Sequence, residues 1–196
     1  MDRARTVEDL DRAVRAIAVH FRADVVVIVG SQSVLLEWPD APLIMRISSE
    51  IDAYPGNIRE WEARHSGEPA SEEIAALFGW GSAFHDEFGF YIDGVDETTA
   101  RLPDGWQDRA IERRLRVERR TVKAIAPSPL DLAVSKLHRL DEKDRDYISL
   151  RHRLRPLDLD LLTQRLAETN PDPQIFARAI AFIDSLRHRG SPDDYP

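Results

Sequence analysis

"VVIVGSQSVLLEWPDAPLIMRISSEIDAYP", residues 26–55, decides how this chain is read. It opens inside "ADVVVIVG" (23–30), a continuous β-branched run ending in glycine, which predicts a strand buried on both faces. "SQSVLLEW" predicts a short helix stopped by Pro39, and the tail of "LIMRISSEIDAYP" predicts a second strand ended by Pro55-Gly56. On a strand, residues i and i+2 share a face, so Glu50 and Asp52 project side by side while Ile51 enters the core. Two adjacent carboxylates repel unless something positive sits between them. A divalent cation such as Mg²⁺ meets that need, because it takes hard oxygen ligands and keeps positions open for phosphate oxygens. Gly30-Ser31, whose serine lies nineteen residues before Glu50, offers the complementary half. Backbone N–H groups and a hydroxyl at a helix N-terminus hold phosphate groups. Acid-x-acid alone is usually a solvated strand face, so the weight rests on the joint arrangement.

Outward from this stretch, Val7, Leu10, Val14, Ile17, Ala18 and Phe21 follow helical spacing and predict a first helix over 6–22. "NIREWEARH" and "SEEIAALFG" predict two more, the latter capped by Ser71. "FGFYIDGV" (88–95) predicts a third strand. Leu115 and Val117 alternate with charges, and Val122, Ala124 and Ala126 alternate in the opposite phase, which predicts a hairpin turning near 118–120. Ser128-Pro129-Leu130-Asp131 has the form of a helix start: a serine cap, a proline in the first turn and an acid three residues on. From there helices are predicted over 128–140, 142–154, 156–168 and 172–188, and "GSPDDYP" (190–196) reads as frayed. The expected architecture is therefore α+β: a mixed-sheet lobe with flanking helices over 1–126, then a helical C-terminal lobe over 127–190.

Composition excludes several classes. No apolar run approaches the roughly 18–20 residues of a membrane span. "MDRARTVEDL" lacks the apolar core of a signal peptide, and a chain without cysteine has no disulfide or thiolate zinc site. A cytoplasmic protein is the expectation. Net charge is −8, yet residues 108–123 carry seven basic and three acidic residues, a local +4 that leaves −12 for the rest. Arg113, Arg114, Arg116, Arg119 and Arg120 of this stretch read either as a solvated hairpin or as a phosphate-backbone contact for RNA. The absence of interleaved aromatics favours the first. Six scattered histidines show no ligand spacing, and there is no Gly-x-Ser-x-Gly elbow or phosphate-binding Gly-x₄-Gly-Lys loop. Gly81-Ser82 reads as a loop, and its neighbours His85, Asp86 and Glu87 as helix capping or core packing.

"GSQSVLL…RISSEID" resembles the signature of the nucleotidyltransferase-fold (DNA polymerase β-like) superfamily, and most closely its AbiEii-type toxin branch. Gly30, Ser31 and Ser33 stand in the Gly-Ser-x-Ala-Leu positions, and Arg46, Glu50 and Asp52 in the Arg-x-Thr-x-Asp-x-Asp positions. The spacer is about four residues longer than in that pattern, and Glu50 replaces its first aspartate. "DLAVSKLHRLDEKDRDYI" sets Lys136 and Asp144 where that branch carries a lysine and a downstream aspartate. The combination of "GWGSAFHDEFGFYIDGV", "LPDGW" and "APSPLDLAVSKL" is similar to uncharacterised bacterial proteins of this fold. The resemblance implies metal ligation by Glu50 and Asp52, nucleotide binding by Gly30, Ser31, Ser33, Arg46 and Lys136, and an acceptor-orienting or general-base role for Asp144. It implies transfer of an NMP from an NTP, with tRNA as acceptor and a cognate antitoxin as partner. Transfer to a protein hydroxyl is equally compatible with the residues. Active members add a third carboxylate from a later strand. "TVKAIA" supplies none, and Asp93, Glu112 and Glu118 are candidates without a pattern. That gap keeps a degenerate binding or regulatory module as the rival. On an 142–154 helix, Asp144 shares a face with Tyr147, Ile148 and Arg151, and Asp146 lies on the other side.

Overall fold

A computed structural model describes residues 3–188 of the chain, so the expectation for 190–196 lies outside the described residues. The fold is α+β and divides into two units. One runs up to Thr99 and includes Ala110–Pro127; the other is Ala100–Arg109 with the chain from Ser128 onward. Ala100–Arg109 thus groups with the helices, where the sequence placed it with the sheet. Within that unit Arg109 donates two hydrogen bonds to Asp131, at 3.2 and 3.1 Å.

The first unit begins with β1 (Arg3–Ala4) and α1 (Val7–His20). Thr6 and Asp9 close a reciprocal capping box at the start of α1, and Leu10, Ala13, Val14, Ile17 and Ala18 form its buried stripe. β2 (Val25–Ile28) follows, then a 3₁₀ turn (Ser31–Ser33), the single turns α2 (Val34–Glu37) and α3 (Leu43–Arg46), β3 (Ile47–Ser48) and β4 (Glu50–Pro55). Next come α4 (Ile58–Arg64), α5 (Ala70–Phe78), α6 (Ala83–Phe88), β5 (Tyr91–Gly94), β6 (Ile111–Val117) and β7 (Arg120–Ala126). β1 and β3 pair in a small antiparallel ribbon, and the main sheet has the order β5-β4-β2-β7-β6. β2 runs antiparallel to β4 and parallel to β7, while β4 and β5 are parallel. α1 packs on β2, β4 and β6, and α5 on β5.

β2 is central and buried on both faces, as its continuous apolar run predicts. It is shorter than 23–30 because Ala23 N–H still bonds back to the Ala18 carbonyl and Gly30 turns the chain at φ 68°. The hairpin pairs Val117 with Arg120, and Glu118 takes the left-handed conformation in the turn. Two local expectations change. Ser71 does not cap α5: Pro69 occupies that position, and Glu62 of α4 accepts the Ala70 N–H at 3.0 Å. The strand expected over 88–95 shrinks to Tyr91–Gly94 because α6, capped by Ser82, runs to Phe88 and ends on left-handed Gly89.

The second unit holds a 3₁₀ turn (Trp106–Arg109) and α7 (Pro129–Arg139), α8 (Glu142–Leu154), α9 (Leu159–Glu168) and α10 (Pro173–His188). Ser128 caps α7 with Pro129 in its first turn, as expected. α9 starts three residues later than predicted, since Asp158 caps it by accepting from Asp160 and Leu161. Leu137, Ile148, Leu162, Leu166, Ala179 and Ile183 are central to its core. No described helix is long and apolar enough to cross a membrane.

Candidate active site

The two halves of the opening stretch meet in space. Val29 N–H donates to the Asp52 carbonyl at 3.0 Å, which sets the end of β2 against β4. Gly30 then sits directly on the Asp52 side chain. A Cβ built on Gly30 would overlap the Asp52 carboxylate and come within 2.7 Å of its Cγ. Gly30 also holds φ 68°, so glycine is required both by space and by backbone conformation.

Ser31 opens the 3₁₀ turn, and the Gln32 amide donates to its Oγ at 3.4 Å. That contact occupies a lone pair and leaves the Ser31 hydroxyl proton available for another acceptor. Ser33 is different: it is buried, and its hydroxyl donates to the Gly30 carbonyl at 2.8 Å. Ser33 shapes the turn. The expected helix N-terminus is also absent in strength, because α2 has four residues and carries little macrodipole. Arg46 donates to the carbonyls of Ala41 (2.6 Å) and Arg5 (3.1 Å), anchoring α3 to the N-terminal segment.

Along β4 the alternation holds. Ile51 and Ala53 are fully buried, and Glu50 and Asp52 point to the opposite face, partly exposed. The parallel pairing with β5 brings a third acid. Glu50 is opposite Tyr91, and Asp52 is opposite Asp93. Residues in register share a face, so Glu50, Asp52 and Asp93 form one group on two neighbouring strands. The Tyr91 hydroxyl donates to the Glu50 carboxylate. Burial, the bond to Glu50 and the charge of Glu50 push the Tyr91 phenol up to about 12. Burial first, and then the Glu50 charge, hold the Asp93 carboxyl above the usual range. Sequence reasoning named Asp93 only as an unpatterned candidate. The signal was in "FYIDG", where Tyr91 and Asp93 alternate around the buried Ile92.

Three hard oxygen donors on one face suit a divalent cation by chemistry. Their side chains do not converge: among the described residues no three His, Asp or Glu groups lie close enough to hold an ion. The Tyr91 bond accounts for Glu50, whose carboxylate is turned to its cross-strand neighbour.

Lys136 and Asp144 lie in the second unit and pair with each other. Lys136 Nζ donates to Asp144 at 2.8 Å, and Arg139 adds two further bonds at 2.8 and 2.9 Å. Asp144 is 0% exposed, and its own N–H is accepted by the helix cap Asp141. The Lys136 ammonium also lies over the Tyr147 ring, 4.7 Å from its centroid. Burial would raise the Asp144 carboxyl, but the bonds from Arg139 and Lys136 outweigh it and hold it below its usual value. A carboxylate so held is a weak proton acceptor. Asp144 and Ile148 are buried and Asp146 exposed, matching the predicted helix face.

The basic stretch is mostly neutralised. Arg113 forms two bonds with Asp11, Arg114 pairs with Glu112, Arg120 with Asp24, and Lys123 with Glu112. Arg116 and Arg119 project exposed from the hairpin. No curated protein and no solved structure matches the chain. A family model described as "Nucleotidyltransferase of unknown function (DUF6036)" matches residues 5–177, nearly the whole chain. By its sequence over that span, the chain belongs to this nucleotidyltransferase family.

Proposed function

We propose that the protein transfers a nucleotidyl group from an NTP to an acceptor hydroxyl, at the face of the sheet carrying Glu50, Asp52 and Asp93. The observation that supports this reading most is the register of β4 and β5, which sets Asp93 beside Asp52. Glu50, Asp52 and Asp93 would hold Mg²⁺, which when bound supplies positive charge against the charge developing on the α-phosphate. Ser31, with its hydroxyl proton available, binds a phosphate oxygen of the triphosphate. Asp93, in register with Asp52, is the acid for the acceptor's proton, since Asp144 is held by Lys136 and Arg139. The acceptor oxygen then bonds to the α-phosphorus as pyrophosphate leaves. Lys136 and Arg46 serve the scaffold through the partners described above. On the AbiEii-type resemblance the acceptor would be tRNA and the partner a cognate antitoxin, with Arg116 and Arg119 as the exposed cations for RNA phosphates.

One observation favours a second reading, a degenerate nucleotide-binding module: Glu50 is engaged by Tyr91, and the acids do not converge. Label transfer separates the two. The protein is incubated with Mg²⁺, each α-labelled NTP in turn, total RNA and cell protein, beside Asp52→Ala. A labelled RNA band lost in the variant supports transfer to RNA, and a labelled protein band redirects it to a protein hydroxyl. No label with any nucleotide, together with measurable NTP binding, favours the module.

A further inference from the structure

Trp80 stands out among the four tryptophans because 73% of it is exposed, whereas Trp61 and Trp106 are buried. Tryptophan is highly buried on average, so an indole left in water calls for a reason. The turn that displays it is specifically built. α5 ends at Phe78, and a Cβ on Gly79 would lie 2.8 Å from Ala75 Cα, so only glycine lets the chain leave the helix this tightly. On the other side Gly81 takes φ +78°, and its N–H donates to His85 Nδ1 at 3.1 Å.

The indole is also supported from below. Its centroid is 4.5 Å from the His85 ring at an interplanar angle of 35°, and the Tyr91 ring meets it edge-on at 5.7 Å. Tyr91 is the residue in register with Glu50, and its hydroxyl bonds the Glu50 carboxylate. A fixed, solvent-facing aromatic surface therefore flanks the row of acids, one side chain away from it.

We propose that Trp80, backed by His85 and Tyr91, is a stacking platform for a nucleobase beside the carboxylate row. This rests on the nucleotidyltransferase reading and names a further binding residue for it. A base suits the site because it offers a flat π-face for the indole and tolerates polar neighbours at its edge. An apolar protein partner would need a contiguous apolar patch, whereas Trp80 is flanked by His85 and by the Tyr91–Glu50 pair. Stacking accepts any base, so the platform adds affinity with weak base preference. The base belongs either to the NTP or to the acceptor RNA.

The test is binding, which does not require turnover. Wild type, Trp80→Ala and Trp80→Phe are titrated in Mg²⁺ with each NTP, inorganic tripolyphosphate and a short single-stranded RNA. Equal thermal midpoints certify folding. Stacking of roughly 1–3 kcal/mol per base predicts that Trp80→Ala weakens NTP binding about tenfold, that Trp80→Phe retains most of it, and that tripolyphosphate binding is unchanged. A loss confined to the RNA assigns the base to the acceptor. Unchanged binding of both NTP and RNA in Trp80→Ala overturns the platform and leaves the transferase reading standing. An equal loss for NTP and tripolyphosphate overturns it too, in favour of a structural role. A wild type that binds neither nucleotide nor RNA overturns the platform and the transferase reading together.

Discussion

The acids of the sheet and the acids of the helical unit are treated in opposite ways. On β4 and β5, carboxylates stand beside carboxylates, and Asp93 is held above its usual range by burial and by Glu50. In the helical unit, carboxylates stand between cations. Asp144 lies between Lys136 and Arg139, and the fully buried Asp131 receives Arg109 and Arg165. Asp144 is held low in consequence. Gathering like charges costs stability, and pairing buried charges prevents a larger loss. The first pattern is what a binding or catalytic site tolerates, and the second is what a scaffold requires.

The contrast is sharpest in paired variants, measured for both label transfer and thermal unfolding. Asp93→Asn is expected to reduce transfer by about 10²–10⁴-fold, the usual worth of a general base, with an unchanged or higher unfolding midpoint. Full activity in that variant would break the comparison on the sheet side. Asp144→Ala is expected to cost about 3–5 kcal/mol in denaturant unfolding, because two cations lose their buried partner. A cost below 1 kcal/mol would break it on the helical side.

The pH dependence runs in opposite senses for the two acids. Asp93 binds its proton more tightly in the folded chain, so its contribution to stability grows as pH falls into the carboxylate range. Asp144 binds its proton less tightly when folded, so its contribution is present above the ordinary carboxylate value and is lost as pH falls below it. Measured without Mg²⁺, Asp93→Asn should therefore lose the part of the stability gain on mild acidification that Asp93 supplies. Acid unfolding of Asp144→Asn should be flatter than wild type below the ordinary carboxylate value. The smallest effect is expected from Tyr91→Phe. It frees Glu50 from its hydrogen bond and should change transfer less than about tenfold, in line with roughly 1.5 kcal/mol for one bond to a charged group. A larger loss would mean that Tyr91 itself takes part in the site.

Much of the scaffold was legible in the sequence because its signals are local. The apolar stripe of α1, the run of β2, the opposite phases of β6 and β7, and the cap at Ser128 each lie within a few residues of the element they define. Some departures are local, such as the Asp158 cap of α9, and one arises where a distant residue intervenes. Ser71 lost its cap role because Glu62 of another helix serves the Ala70 N–H. The packing of Gly30 near Asp52 in the candidate site was partly legible too, since both residues belong to one recognisable pattern. The third acid was not, because nothing local in "FYIDG" says which strand lies next to it. Lys136 and Asp144 were identified as residues of interest, but not as each other's partners.

By itself, then, the sequence determined that Glu50 and Asp52 share a face and that Ile51 is core, because strand alternation is a property of the backbone alone. It also determined where α1, α7 and α8 begin, because their caps need only neighbouring residues. Tertiary structure alone decided that Asp93 joins that face, that Gly30 packs on Asp52, and that Asp144 is neutralised while Asp93 is not. Strand register and charge pairing join residues far apart in the chain, so only the folded arrangement fixes which acids meet each other and which meet a cation.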